Sequence, residues 1–440
     1  MQFYGQRATV MGLGRHGGGV GAAQYLAQEG ARVTITDLAD QGALADSLEE
    51  LAGAGIERFH LGGHREADFT KADLVVVNPA VRPDNPLVEL AQTAGARITS
   101  EIELFLDACP APVIGVTGTT GKSTTAAMIA AALDTAGTRS WLGGNIGRSL
   151  LADLPRIQSD DWVVLELSSF QLHWLGENVR WPRLAVVTNF APNHLDWHGS
   201  VEHYRQSKQR LLDHVRQAFQ PDSHVGQASS PDCQARKPDL RSPIQPWPVA
   251  DVPALKVPGR HNRANAALAA AAASAAGADR ESIVRGLAEF TGLPHRLQSV
   301  AEIAGRLFIN DSKATTPEAA IAALESMDRP TWILLGGSDK QVDLSPLAAA
   351  AGRRARGAAV YGAVGDTLDQ LLAAHAPRLT RYRAESLDEA FDWCWRQSRP
   401  GDAILLSPAC ASLDQFRDYI DRGTAFVRLV EELDIIEPIR

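Results

Sequence analysis

Short aliphatic, β-branched runs alternate with stretches of helical period along the whole chain. Residues 8–11, 32–36 and 74–77 predict buried strands, and 20–29 and 86–94 predict helices between or after them. A second series begins after Pro112, with strands at 113–116, 162–167 and 184–188 and a helix over 122–136. A third series places strands at 306–309, 332–335, 358–361 and 403–406, again with helices between. Strands buried on both faces and separated by helices predict parallel sheet with crossover connections. The expected fold class is α/β in three blocks, joined near residues 99–101 and 292–296. Between residues 220 and 258 prolines, serines and single charges replace the periodic pattern, which predicts irregular connection or short edge strands.

Composition narrows the class. The 440 residues fit about three domains at roughly 150 residues each. With 45% hydrophobic and 22% charged residues the chain has the make-up of a folded globular protein. A net charge of −9 without a basic block argues against a nucleic-acid partner. Cys109, Cys233, Cys394 and Cys410 form no CxxC pair, so neither a zinc site nor a redox motif is expected. The N-terminus lacks a signal-peptide pattern, and the alanine-rich run 266–278 is too short to span a bilayer. A soluble cytoplasmic protein without membrane insertion is expected.

Two glycine turns carry candidate chemistry. Gly12-Leu13-Gly14-Arg15-His16-Gly17 lies between a predicted strand and helix, with Asp37 ending the next strand. Glycines there allow a diphosphate to approach a helix N-terminus, and an acid at that distance meets a ribose hydroxyl. The pattern leaves the nucleotide open, and a turn that only packs helix on strand has the same spacing. The second turn, Thr117-Gly118-Thr119-Thr120-Gly121-Lys122-Ser123-Thr124, is more restrictive. Its backbone N–H groups can cradle phosphate oxygens, Lys122 can reach the β- and γ-phosphates, and the Ser123 hydroxyl can ligate magnesium. Val116 stands where the general phosphate-loop pattern has glycine. Glu166, at the end of the next strand, reads either as a magnesium ligand or as a solvated strand-end acid. His194 and Asp196 follow the strand after that. Lys208 by itself reads as an ordinary solvated helix lysine.

Taken together, these turns resemble the Mur ligases. The likeness extends through Leu142-Gly143-Gly144-Asn145-Ile146-Gly147, Glu166-Leu167-Ser168-Ser169-Phe170-Gln171-Leu172 and Asn193-His194-Leu195-Asp196. It continues through Pro258-Gly259-Arg260-His261-Asn262, Gly292-Leu293-Pro294-His295-Arg296 and Asn310-Asp311-Ser312-Lys313-Ala314-Thr315. The run Ser407-Pro408-Ala409-Cys410-Ala411-Ser412-Leu413-Asp414-Gln415-Phe416 is similar to the C-terminal signature of the glutamate-adding branch of that family. The resemblance covers nearly the whole chain, in order.

The resemblance implies a Rossmann-like N-terminal domain over 1–99 that binds a UDP-sugar. It implies a phosphate-loop central domain over 100–292 that binds ATP, and a Rossmann-like C-terminal domain over 293–440 that closes over ATP and glutamate. It also implies the reaction: ATP phosphorylates the alanine carboxylate of UDP-N-acetylmuramoyl-L-alanine, and the amine of D-glutamate displaces phosphate. By the same resemblance, Gly118, Thr119, Thr120, Gly121, Lys122, Ser123, Thr124, Asn265, Arg296 and Asp311 contact ATP. Arg296 meets phosphate and Asp311 the ribose. Ser123 and Glu166 hold one of two magnesium ions. His194 holds the second, together with Lys208 as a carbamate. Gly14, Asp37 and Asn145 contact the UDP-sugar, and Thr315, Lys340, Ser412 and Tyr419 the glutamate. His16 departs from the small hydroxyl residue common in that turn. A monomer acting on small molecules is expected.

Other readings explain less. A nicotinamide dehydrogenase built on the first turn leaves Gly121-Lys122-Ser123 and Glu166 without a role. A folylpolyglutamate synthase has no need of a nucleotide-type block before Pro112. A regulatory protein without turnover would not need the set Lys122, Glu166, His194, Lys208 and Lys340. Mur ligases that add another amino acid are the nearest competitors.

Overall fold

The strands of the computed structural model, which describes residues 2–14, 17–146, 149–215, 217–219, 246–257, 259–339 and 342–436, form three sheets in chain order. The first contains β1 (Arg7–Met11), β2 (Arg32–Asp37), β3 (Arg58–Leu61), β4 (Leu74–Val77) and β5 (Arg97–Thr99). All are parallel, in the order β3-β2-β1-β4-β5. The second contains β6 (Val113–Thr117), β7 (Ser140–Gly144), β8 (Trp162–Glu166), β9 (Leu184–Val187) and β10 (Gln217–Phe219). It is also parallel, ordered β10-β9-β6-β8-β7. The third contains β11 (Gln298–Ile303), β12 (Arg306–Asn310), β13 (Thr331–Gly336), β14 (Ala355–Tyr361), β15 (Thr380–Arg383) and β16 (Ala403–Ala409). Its order is β11-β12-β16-β13-β14-β15, with only β11 antiparallel.

The first two sheets belong to one compact unit, Met1–Val252 with Asn265–Leu287, and the third to another, Pro253–Ala264 with Ala288–Arg440. The central strands are the ones the aliphatic pattern predicts. Val75, Ile114, Val163, Ile333 and Leu405 are fully buried, each stabilising the fold by about 1.5–3 kcal/mol relative to exposure. The strands without a sequence signal lie at or near sheet edges. β3 (Arg58-Phe59-His60-Leu61) and β15 (Thr380-Arg381-Tyr382-Arg383) have no fully buried residue, so water rather than core sets their composition. The alanine run 266–273 lies buried in the helix Arg260–Ala275. No helix among the described residues is long and apolar enough to cross a membrane. Most of the irregular 220–258 segment lies outside the described residues, and 246–257 holds one short turn, Val249–Asp251.

Parallel strands bring functional loops to their carboxyl ends, and the order of each sheet decides which loops meet. In the first sheet the loops after β1 and β4 are neighbours. Gly12 has φ +85°, and a Cβ there would stand 2.8 Å from the Cβ of Asn78, so only glycine lets the two loops touch. In the second sheet the loops after β8, β6 and β9 adjoin, and in the third those after β12, β16 and β13.

The amino ends of the third sheet are pinned by one buried acid. Asp402 accepts from Trp332 Nε1 (3.0 Å), the Arg399 amide (3.0 Å) and Arg356 (3.1 Å). It thereby ties β13, β14 and β16 together below the site. Asp402→Ala leaves the indole and amide donors without an acceptor, which costs about 1–3 kcal/mol. We expect a lower urea midpoint with an unchanged slope; an unaltered midpoint would remove Asp402 as a structural pin.

Candidate functional site

The loop between β6 and the helix Lys122–Thr135 is the centre of the first unit's site. Gly118 has φ +143°, and a Cβ there would lie 2.0 Å from the Thr188 hydroxyl oxygen, so the loop after β9 presses directly on the turn. Asn189 fastens the same two loops, accepting from the Thr120 amide (3.0 Å) and donating to its carbonyl (2.9 Å). The helix begins after Gly121, which has no side chain to cap the first-turn N–H groups, the arrangement in which a phosphate does so. Lys122 folds over the turn and donates to the carbonyls of Gly118 (3.1 Å) and Thr119 (2.9 Å).

Glu166 is a buried strand end, 3% exposed, not a solvated one. It accepts from the Ser123 hydroxyl and, at 2.8 Å, from the Asn145 amide nitrogen. A hydroxyl and a carboxylate touching beside a phosphate turn are hard oxygen donors of the kind magnesium takes. Among the described residues no group of three or more His, Cys, Asp or Glu side chains is arranged to hold a metal ion.

Lys208 departs furthest from its sequence reading. It lies in the helix Val201–His214, yet is only 4% exposed. Its ammonium donates to the Gly118 carbonyl at 2.8 Å and sits 4.7 Å from the centre of the Tyr204 ring. Burial, reinforced by Lys122 and opposed by Glu166, lowers its pKa to about 7. His194 precedes the short helix Leu195–His198 in a left-handed conformation, φ 53°. Burial lowers its pKa, with Asp196 opposing and Lys122 and Lys208 adding, which favours the neutral imidazole, the form that ligates a cation. Asn265 stands against the same turn: a Cβ on Gly121 would come 2.5 Å from its side-chain oxygen. Thr119, Thr120 and Thr124 lie on the loop and first helical turn. Tyr204 was not singled out by the sequence; its hydroxyl meets that of Thr119 at 3.0 Å.

At the first sheet, Asp37 receives the amides of Gly14 (3.2 Å) and Ala39 (2.8 Å). The acid expected at a ribose thus also shapes the turn. Arg15 and His16 lie outside the described residues.

The second unit has its own constellation. Asp311, after β12, is 5% exposed and accepts from Ser407 Oγ (2.8 Å) and the Leu297 amide (3.1 Å). Burial raises its pKa to about 7 against the opposing effects of Ser407, Leu297 and Arg296. Ser412 is buried, while Thr315, Arg296 and Tyr419 are half-buried. Ser312 Oγ donates to the Tyr419 carbonyl at 2.8 Å, joining β12 to the start of the helix Tyr419–Ile436. Arg422, unmarked in the sequence, is fully buried and donates to the carbonyls of Ser312 (2.9 Å) and Cys410 (3.1 Å). Lys340 lies outside the described residues.

Comparison with known proteins follows this division. Residues 6–100 match a Mur ligase MurD-like N-terminal domain, 116–225 the Mur ligase middle domain, and 295–410 the Mur ligase glutamate ligase domain. The chain is 39% identical to a UDP-N-acetylmuramoylalanine–D-glutamate ligase of Roseiflexus sp., over 98% of this chain and 99% of the relative. It is 36% identical to the enzyme of the same name from Trichlorobacter lovleyi, over 98% and 100%. Among solved structures, a UDP-N-acetylmuramate-alanine ligase from Thermotoga maritima shares the fold with a TM-score of 0.57 at 20% identity, covering 97% of this chain and 99% of that one. The chain belongs to the Mur ligase family.

Proposed function

We propose that the chain is an ATP-dependent amide ligase that joins D-glutamate to UDP-N-acetylmuramoyl-L-alanine in the cytoplasmic stage of peptidoglycan precursor synthesis. The carrying observation is that Lys122 and Lys208 converge on one carbonyl, that of Gly118, while Ser123 at the start of the following helix meets the buried Glu166, at the carboxyl end of a parallel sheet. We assign the UDP-sugar to residues 1–99, ATP to 100–292 and glutamate to 293–440.

A carboxylate is a poor electrophile, so the alanine carboxylate must first gain a phosphoryl leaving group. Bringing it to ATP sets two anions together, and charge neutralisation is the main demand on the site. Magnesium, bound through Ser123 and Glu166, would supply part of that neutralisation. Lys122 leaves its two carbonyls to reach the β- and γ-phosphates. Asn145 fixes the rotamer of Glu166 and carries the link to the UDP-sugar, whose diphosphate lies at the Gly14 turn and whose ribose hydroxyl meets Asp37. Asn265 and Arg296 support the nucleotide, and Asp311 its ribose. Thr315 and Lys340 take one glutamate carboxylate, and Ser412 with the backbone near Tyr419 takes the other.

Lys208 as an ammonium cannot ligate a cation. With a pKa lowered to about 7, a substantial fraction is free amine at neutral pH, and that amine can add carbon dioxide. The carbamate that forms is an anion beside His194, where a second magnesium ion would be held.

Lys122→Ala should lower kcat/KM for phosphate release on the order of a hundredfold or more, with the thermal midpoint unchanged. Turnover near the wild-type rate would remove Lys122 from the phosphate site. Lys208→Arg keeps the charge but cannot form the carbamate, so activity should be lost. In the wild type, 13C-labelled bicarbonate should give a carbamate resonance that declines as pH falls below about 7 and the amine protonates. Activity retained in Lys208→Arg, or no such resonance, would reject the modified lysine.

The amino acid is tested by phosphate release with UDP-N-acetylmuramoyl-L-alanine, ATP and magnesium. Alanine leaves one anion cluster unpaired, a cost of about 1–3 kcal/mol, and should be poorer than glutamate by on the order of ten- to a hundredfold in kcat/KM. Preferential use of L-glutamate over D-glutamate would overturn the stereochemistry while leaving the ligase standing. Equal use of alanine would overturn the two-cluster site.

A further inference from the structure

Three consecutive residues after β4 bridge the first two sheets through hydrogen bonds that no role above uses. The Ala80 carbonyl accepts from Trp197 Nε1 at 3.2 Å, and the Val81 carbonyl from Trp174 Nε1 at 3.3 Å. Arg82 donates to the Asp196 carbonyl at 2.8 Å. Both sheets lie in one compact unit, so the bridge is internal to it.

Each end of this strap touches a proposed binding element. On one side, Asn78 donates to the Gly12 carbonyl at 3.0 Å and packs against the glycine turn closely enough to exclude a Cβ. Its own side-chain oxygen accepts the Ala80 amide at 3.0 Å, so the strap is an extension of that contact. On the other side, Trp197 and His198 donate their amides to the His194 carbonyl at 3.2 and 3.0 Å. The Trp197 ring is buried against Phe170, with ring centres 4.6 Å apart, and Phe170 lies 4.9 Å from the His194 ring.

His194 is the element that can respond. A left-handed conformation is unfavourable for a non-glycine residue, and it persists only where the surroundings impose it. The residues that follow it are held by the strap, and the strap is held by the glycine turn. We propose that Ala80–Arg82, with Trp197 and Asp196, couples UDP-sugar occupancy of the glycine turn to the seating of His194. Binding of either ligand then tightens the other. The inference rests on the reading of Gly14 and Asp37 as UDP-sugar contacts and of His194 as a contact to the metal–nucleotide. Trp197 and Arg82 act as positioning residues, since neither is assigned to a ligand.

The test measures coupling rather than activity. Magnesium with a non-hydrolysable ATP analogue is titrated calorimetrically into the protein, alone and saturated with UDP-N-acetylmuramoyl-L-alanine. The ratio of the two dissociation constants is the coupling factor, and the reciprocal titration must return the same value. A hydrogen bond of ordinary net strength is worth about a two- to tenfold change in an equilibrium. The wild type should therefore show tightening of roughly tenfold. Trp197→Phe combined with Arg82→Gln keeps the ring packing and removes two strap bonds, and should bring the factor below about twofold. Affinity for the analogue alone should change less than the factor does. If the double variant does not fold, Arg82→Gln alone, at an exposed side chain, should still lower the factor at least twofold. Wild-type coupling retained in a folded variant, or binding of both ligands to the wild type without coupling, overturns this inference alone. No binding of the UDP-sugar to the wild type overturns the functional reading and this inference with it.

Discussion

Two lysine ammonium groups donate to one carbonyl, that of Gly118, with the Glu166 carboxylate nearby and buried. Desolvation is the main cost of a charge on Lys208, repulsion from Lys122 adds to it, and Glu166 offsets part of it. The arrangement is sustained by surroundings that cannot relax: Gly118 is pressed by Thr188, the turn is tied by Asn189, and Tyr204 packs beside Lys208. A polyphosphate resolves the repulsion, and so does conversion of one lysine to an anion. The electrostatics of the site therefore favour the charged partners that a phosphoryl-transfer ligase brings together.

The same topological device recurs in all three sheets. Each places its candidate residues on loops from adjacent parallel strands, where backbone dipoles and short side chains converge. The differences lie in what fills the crevice. The first sheet leaves glycine and an acid that organises amides; the second concentrates cations and oxygen donors; the third buries Asp311, Ser412 and Arg422. The proposed division of labour follows from these contents, because the sheet plan is shared.

Legibility in the sequence followed burial. Central strands such as β4 and β8 announced themselves because both faces are apolar, and Gly121-Lys122-Ser123 because few other sequences suit a helix opening on phosphate. β3 and β15 were invisible because edge strands answer to solvent. Lys208 is marked by the family resemblance, but its buried setting has no local signal, for a different reason. Its burial depends on the Gly118 carbonyl and Tyr204, one of them ninety residues away in the chain, and no local pattern encodes such a partner. Glu166 reads in the sequence either as a magnesium ligand or as a solvated strand-end acid, and Asp311 is marked by the family resemblance alone; only the packing of neighbouring strands shows that water is excluded from both.

Arg422 shows what that exclusion means for a charge. Its hydrogen-bond acceptors are neutral oxygens of Ser312, Cys410 and Gly336, from the ends of β12, β16 and β13. Several neutral oxygens together orient a buried guanidinium and satisfy its donors. The loops it fastens are those that carry Ser412 and lead to Tyr419, the residues proposed for a dicarboxylate. A fully buried guanidinium beneath these loops therefore fixes three strand ends with one side chain, and the geometry of the loops above them depends on it.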